Sequence, residues 1–295
     1  MRYFLPWAFL LSAMSFYAEG SEVTKHADDG FDFTLTSNIT YVAQKLDEVT
    51  SLQTLDVYRP NNIDLAPVIL YVHGGGWAFG DKKDVHVKPN YFTLKGLAFV
   101  SMNYRLRWDY KIYDQLVDIV SAIRWIQDNG AKHGLDADRI ILMGNAAGGH
   151  LVSLVMTDSS YLRAEGMSSN SVKAVISIDS TSYDITRLMK ELGSFVERRQ
   201  HEVIFSSDEG VWRAASPQTH VSKNTSLPPF ALLYNPEQDL TALQAKGFAK
   251  AITAAGGELV MIPGSTSDPE RTDELIGVSG NIATGALMAF IRSQI

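Results

Sequence analysis

Two glycine-rich turns, each placed at the end of an apolar run, constrain this chain most. His73-Gly74-Gly75-Gly76-Trp77 follows the run at residues 68–72. Gly144-Asn145-Ala146-Ala147-Gly148-Gly149-His150 follows the run at 139–143 and leads into a helical-looking stretch at 151–156. Glycines there let the backbone turn tightly and aim N–H groups at a shared point. The second segment has the strand, tight turn and helix context in which G-x-S-x-G sequences present a serine. Its central position here is Ala146. A methyl group cannot attack a carbonyl, so the scaffold is legible while its chemistry is in question.

Around these turns, short apolar runs alternate with longer amphipathic ones, the pattern of an α/β protein with a largely parallel central sheet. Strands are expected at residues 54–58, 68–72, 98–103, 139–143, 172–178, 230–234 and 258–262. Consecutive Val, Ile and Leu in these runs suit strands buried on both faces. Helices are expected at 113–132, where Leu116, Ile119, Val120, Ile123 and Ile126 make one stripe, at 241–255 before Gly256-Gly257, and at 281–292. Residues 181–215 fit the alternation poorly. They are read as a small cap or lid over the C-terminal edge of the sheet, with a plain surface insertion as the alternative.

Bulk properties narrow the classes. The 295 residues are 45% hydrophobic, carry a net charge of −7 and show no basic stripe, so nucleic acid is not an expected partner. Arg2, the apolar stretch at 3–17 and Ala18-Glu19-Gly20 read as a signal peptide over residues 1–20, leaving 21–295 as a single domain. The apolar stretch is interrupted and shorter than the roughly 20 residues of a membrane span, so no span is expected in the mature chain. An uncleaved anchor is the alternative. The expected location is outside the cytoplasm, periplasmic or secreted. Cysteine is absent, so no disulfide framework exists and stability must come from the core. No spacing suggests a metal site, and no cofactor is implied.

The motifs, in order, resemble the α/β-hydrolase fold, in its carboxylesterase group with HGGG loops. That group includes hormone-sensitive-lipase-like, feruloyl-esterase-like and kynurenine-formamidase-like members. The resemblance starts near Leu55 and runs to the C-terminus. Leu55-Asp56-Val57-Tyr58-Arg59-Pro60, Asn103-Tyr104-Arg105-Leu106, Asp118, Arg124-Trp125, Gly134-Leu135-Asp136, Asp138-Arg139-Ile140, the elbow, Ser216-Pro217 and Pro228-Pro229-Phe230 carry it. It implies an α/β-hydrolase fold with a mostly parallel sheet flanked by helices and a small cap insertion. It also implies oxyanion donors at the N–H groups of Gly75, Gly76 and Ala147.

The family order of catalytic groups is serine, acid, histidine. The resemblance puts Ala146 at the nucleophile position, Asp239 at the acid position and Ser267 at the histidine position, after the turn Pro263-Gly264. None of the seven histidines lies after His220. Loss of the serine or the histidine costs about 10⁶-fold in turnover, and further losses add little because the triad works as a unit. The expected function is therefore an exported esterase-like homologue that binds a small carboxylate- or ester-like ligand, or acts in interaction, without catalysis. The alternative is an ester or amide hydrolase with other machinery, its base drawn from Asp239, Glu237 or His201. Ser153, His73, His150 and His220 are read as structural. Oligomeric state is not encoded in any feature of the sequence.

Overall fold

A computed structural model describes residues 20–26, 32–43, 52–223, 225–264 and 271–295. Among them, nine strands form one sheet in the order β1-β2-β3-β5-β4-β6-β7-β8-β9. The strands are β1 (Ser21–His26), β2 (Asp32–Thr40), β3 (Thr54–Pro60), β4 (Ala66–Val72), β5 (Ala98–Met102), β6 (Leu135–Asn145), β7 (Ala174–Ile178), β8 (Phe230–Tyr234) and β9 (Leu259–Pro263). The first three pair antiparallel and the rest run parallel. The helices are α1 (Lys88–Leu94), α2 (Ile112–Asn129), α3 (Ala147–Thr157), α4 (Ser160–Ala164), α5 (Ile185–Glu191), α6 (Phe195–Phe205), α7 (Glu209–Ala214), α8 (Asp239–Ala254) and α9 (Ile282–Gln294). This is the α/β-hydrolase fold.

Strand β4 shows how the apolar runs become a two-sided core. Side chains alternate across a strand, so Val68, Leu70 and Val72 join the layer under α2, α3 and α8. Ile69 and Tyr71 join the opposite layer under α1 and α9. All seven β4 residues are buried, which is why the run carries no polar alternation. Its parallel register against β6 aligns Val72 with Gly144, so the two glycine-rich turns leave the sheet side by side.

The structure extends several sequence-expected elements and adds others. Strand β6 begins at Leu135, ahead of its apolar run, because Ala66 and Pro67 pair with Leu135 and Asp136 before a register shift. Helix α2 ends at Asn129 and tightens into a 3₁₀ turn at Gly130–His133, with Gly134 left-handed at φ 69°. Strand β2 is absent from the sequence expectation. Its alternation is broken where the register shifts between Thr36 and Ile39 and Asn38 takes φ 60°. Phe33 then faces one core layer and Ile39 the other.

Residues 181–215 form α5, α6 and α7. Phe205, at the end of α6, is buried against Trp77 and His150, with ring centroids 4.9 and 5.7 Å apart. Arg107 donates to the Val203 carbonyl. The insertion thus packs on the glycine loop and the elbow helix at the C-terminal edge of the sheet. No helix among the described residues is long and apolar enough to cross a membrane.

Candidate active site

The elbow is built by close packing. A Cβ on Gly144 would overlap the Gly148 carbonyl, and one on Gly148 would overlap the carbonyls of Val72 and His73. These glycines let α3 start against the ends of β4 and β6. Between them Ala146 is held at φ 48°, ψ −109°, a conformation that non-glycine residues rarely adopt and that is strained. Two hydrogen bonds fix it: Ala146 N–H donates to Ile178 O at 2.8 Å, and His150 N–H donates to Ala146 O at 3.0 Å. The geometry of a nucleophile elbow is complete around a methyl group.

The glycine loop stands opposite. Gly75 and Gly76 take φ 111° and 60°, and the Gly75 carbonyl accepts from the N–H groups of Ala78 and Phe79 at 3.2 and 2.9 Å. His73 braces the loop: its Nδ1–H donates to Gly74 O at 2.7 Å, and its ring stacks on Tyr104 at 4.4 Å. Tyr104 OH donates to His73 O at 3.0 Å. Because Nδ1 carries the proton, Nε2 presents a lone pair, and that atom is buried with no partner. Burial lowers the His73 pKa, which keeps the ring neutral.

Gly75 and Ala146 line one cavity of about 320 Å³. His73, Asn145, Asp179 and Asp273 line it too. Gly76 is exposed, and Ala147 is the first residue of α3, buried, with its N–H at the helix start, where no intrahelical acceptor exists. These two adjoin the cavity-lining residues in the chain and are not themselves among those that line it.

The sequence-expected acid position does not line this cavity. Asp239 is the first residue of α8, is exposed, and is outside the cavity lining. Ser267 lies outside the described residues. Glu237 is exposed. His201 sits on α6, its Nδ1 bonded to Glu197 O at 2.9 Å, and does not line the cavity. Ser153 is buried within α3 and donates back to Gly149 O at 2.7 Å. His150 accepts from Trp77 Nε1 at 3.1 Å and donates from Nε2 to Ala215 O at 2.8 Å. It ties the elbow helix to both the glycine loop and the end of the cap.

Sequence reasoning missed the carboxylates that do reach the cavity. Asp179 directly follows β7, at φ 47°. The signal available was its place just beyond a parallel strand's C-terminal end, where open α/β sheets bind ligands. Burial pushes Asp179 up to about 6, opposed by hydrogen bonds from the Thr272 hydroxyl and the Asn235 N–H and reinforced by the charge of Asp273. Asp273 accepts from Lys88 Nζ at 2.8 Å and Tyr71 OH at 2.9 Å, both on its Oδ2. The Lys88–Asp273 pair joins positions 185 residues apart, so no local pattern could announce it. Among the described residues no cluster of three or more His, Asp or Glu is arranged to hold a metal ion.

Comparison with known proteins agrees with this architecture. The BD-FAE family model matches residues 55–249. The chain is 29% identical over 206 residues to the probable carboxylic ester hydrolase LipM of Mycobacterium tuberculosis, covering 66% of this chain and 47% of that protein. It is 28% identical over 229 residues to the isoprenylcysteine alpha-carbonyl methylesterase ICME of Arabidopsis thaliana, covering 72% and 53%. The chain thus spans about half the length of the curated relatives it matches. Esterase B from Lactobacillus rhamnosis superposes with a TM-score of 0.72 at 22% identity, over 91% of this chain and 86% of that one. The chain belongs to the BD-FAE family, within the carboxylesterase group of α/β-hydrolases.

Proposed function

We propose that this protein is an esterase-like α/β-hydrolase homologue that binds a small ester-like ligand without serine hydrolase chemistry. One observation carries the reading: the strained elbow residue that shares a cavity with Gly75 is Ala146. The order of the chain supports it, with Ser267 where the family pattern places histidine. The Gly75, Gly76 and Ala147 N–H groups would hold the ligand's carbonyl oxygen. Export belongs to the same proposal, resting on the leader-like pattern of residues 1–20, and N-terminal sequencing of the mature protein tests it.

A second reading has a specific observation in its favour. Asp179 lines the cavity with Ala146, and burial pushes its carboxyl up to about 6, toward the range of a useful general base. On that reading it would activate a water beside the glycine loop in an ester or amide hydrolase.

Hydrolysis of p-nitrophenyl butyrate by the purified natural chain and by Ala146→Ser/Ser267→His separates the two. The first reading expects a silent natural chain and turnover in the double variant. Turnover by the natural chain at the roughly 1–10³ s⁻¹ typical of enzymes, abolished in Asp179→Asn, overturns it in favour of the second. Adding Asp239→Asn or Asp179→Asn to the active double variant then decides which carboxylate serves as the acid.

A further inference from the structure

Eight buried side-chain polar atoms have no hydrogen-bond partner among the described residues. Three of them, His73 Nε2, Asp179 Oδ1 and Asp273 Oδ1, belong to side chains that line the cavity beside Ala146. His73 is 1% exposed and Asp273 is 8% exposed. An orphaned buried polar atom is costly and calls for a partner. All three are acceptors: two are carboxylate oxygens, and the third is the ring nitrogen left bare because Nδ1 binds Gly74. The Thr272 hydroxyl, also buried, lies close enough to Asp179 to lower its pKa by hydrogen bonding, but a hydroxyl brings no positive charge.

Charge sharpens the requirement. The cavity is lined by Asp84, Asp179, Asp273 and Glu274. Glu274 pairs with Arg271 at 2.6 Å and Asp273 with Lys88 at 2.8 Å. Asp84 is exposed and accepts from the Asp81 N–H. Asp179 has no cation within ion-pair distance among the described residues, and the neighbouring charge of Asp273 repels it. A ligand carboxylate would add to that repulsion and would satisfy none of the three acceptors. A plain aliphatic ester would leave the Asp179 charge uncompensated.

We propose that the cavity selects an ester bearing a primary ammonium group, seated against Asp179 and Asp273 while the ester carbonyl lies at the glycine loop. An ammonium brings donors and one positive charge, matching the lining carboxylate, Asp179, that has no cation partner among the described residues. The cavity volume equals that of about ten waters at roughly 30 Å³ each, sufficient for a short amino ester. This inference rests on the ester-pocket reading above and narrows its ligand class from ester-like to cationic esters.

Four probes of one shape test it at pH 7.5: β-alanine ethyl ester (cation), ethyl 3-hydroxypropanoate (neutral donor), ethyl butyrate (no donor) and monoethyl succinate (anion). Affinities are read by calorimetry on the full chain and, if any probe is hydrolysed, as ratios of kcat/KM. The expected order is β-alanine ethyl ester at least tenfold above ethyl butyrate, with monoethyl succinate weakest. Asp179→Asn, checked as folded by circular dichroism, should remove that tenfold preference. Parity between the hydroxyl and ammonium probes would overturn the cationic assignment and leave a neutral donor. Binding of ethyl butyrate as tightly as the amine, or a preference that survives in Asp179→Asn, would overturn the proposal and leave the ester pocket standing. No binding by any probe would overturn both.

Discussion

Replacing Asp179 by asparagine should stabilise the protein at neutral pH, against the usual direction for a buried polar substitution. Burial and the Asp273 charge move this carboxyl from 3.8 to about 6. The folded state therefore binds its proton more tightly than the unfolded state does. The associated stability is fully present below pH 3.8 and is lost as pH rises through 6. Two pKa units correspond to about 3 kcal/mol, so the ionised group costs up to about that much at pH 7.5. Asparagine keeps the shape and removes the charge. A gain of about 1–3 kcal/mol is expected at pH 7.5, falling to roughly half at pH 5. Urea unfolding of both proteins at the two pH values gives the difference directly, and other titrating groups cancel between them. A destabilised variant, or a gain independent of pH, would refute the reasoning, because either would mean that the carboxylate is already compensated. A confirmed gain would mark Asp179 as a group held ionised at a cost to stability, as sites selected for binding are.

Three further outcomes follow from the packing around the site. His150→Leu should destabilise by about 2–5 kcal/mol in urea unfolding, since it orphans the Trp77 indole N–H and the Ala215 carbonyl. Burial pushes His150 down to about 4, so the natural protein should lose stability as pH falls from about 6.5 toward 4, and the variant should show a shallower acid limb. Lys88→Met should cost about 3–5 kcal/mol by leaving the buried Asp273 without its cation, and Lys88→Met/Asp273→Leu should recover most of it in thermal unfolding. Gly148→Ala should fail to accumulate as folded protein in size-exclusion chromatography, because its Cβ overlaps the Val72 and His73 carbonyls; a stable variant would show that α3 can shift.

The sheet was legible where burial is two-sided. The runs that became β3 to β9 stand out because short, mostly apolar stretches carry them, and the three long helices because their stripes face one layer. Strand β2 was not legible, since a bulge at Asn38 interrupts its alternation. The two glycine-rich turns were legible because the whole motif is local. Asp239 illustrates the opposite case. Sequence order places it after β8, but α8 begins at that residue, so its exposed carboxylate belongs to the helix's first turn, where the macrodipole favours it. Asp179 reaches the cavity from the end of β7, a place the expected strand at 172–178 made legible, whereas Asp273 arrives through tertiary packing of the segment before α9, which nothing in its flanking residues reports.

Ala146 and Asp179 differ in what they say about function. The elbow is over-determined by packing: Gly144 and Gly148 must approach one another and Val72 for α3 to sit where it does, and the conformation of Ala146 follows whichever side chain it carries. Its geometry would persist with serine, alanine or glycine, so the elbow alone does not distinguish a working enzyme from a binding protein. The backbone of Asp179 is held as well, its N–H donating to Leu233 O at 2.9 Å. Its charge has no such explanation: it is a half-buried carboxylate lining the same cavity with no cation partner among the described residues. The two are linked, since Ala146 N–H binds the carbonyl of Ile178, the residue immediately before Asp179. Strain that packing explains says little about function, while an uncompensated carboxylate in a cavity points to a ligand. On that argument Asp179, rather than the lost nucleophile, is the residue through which this protein's role should be sought.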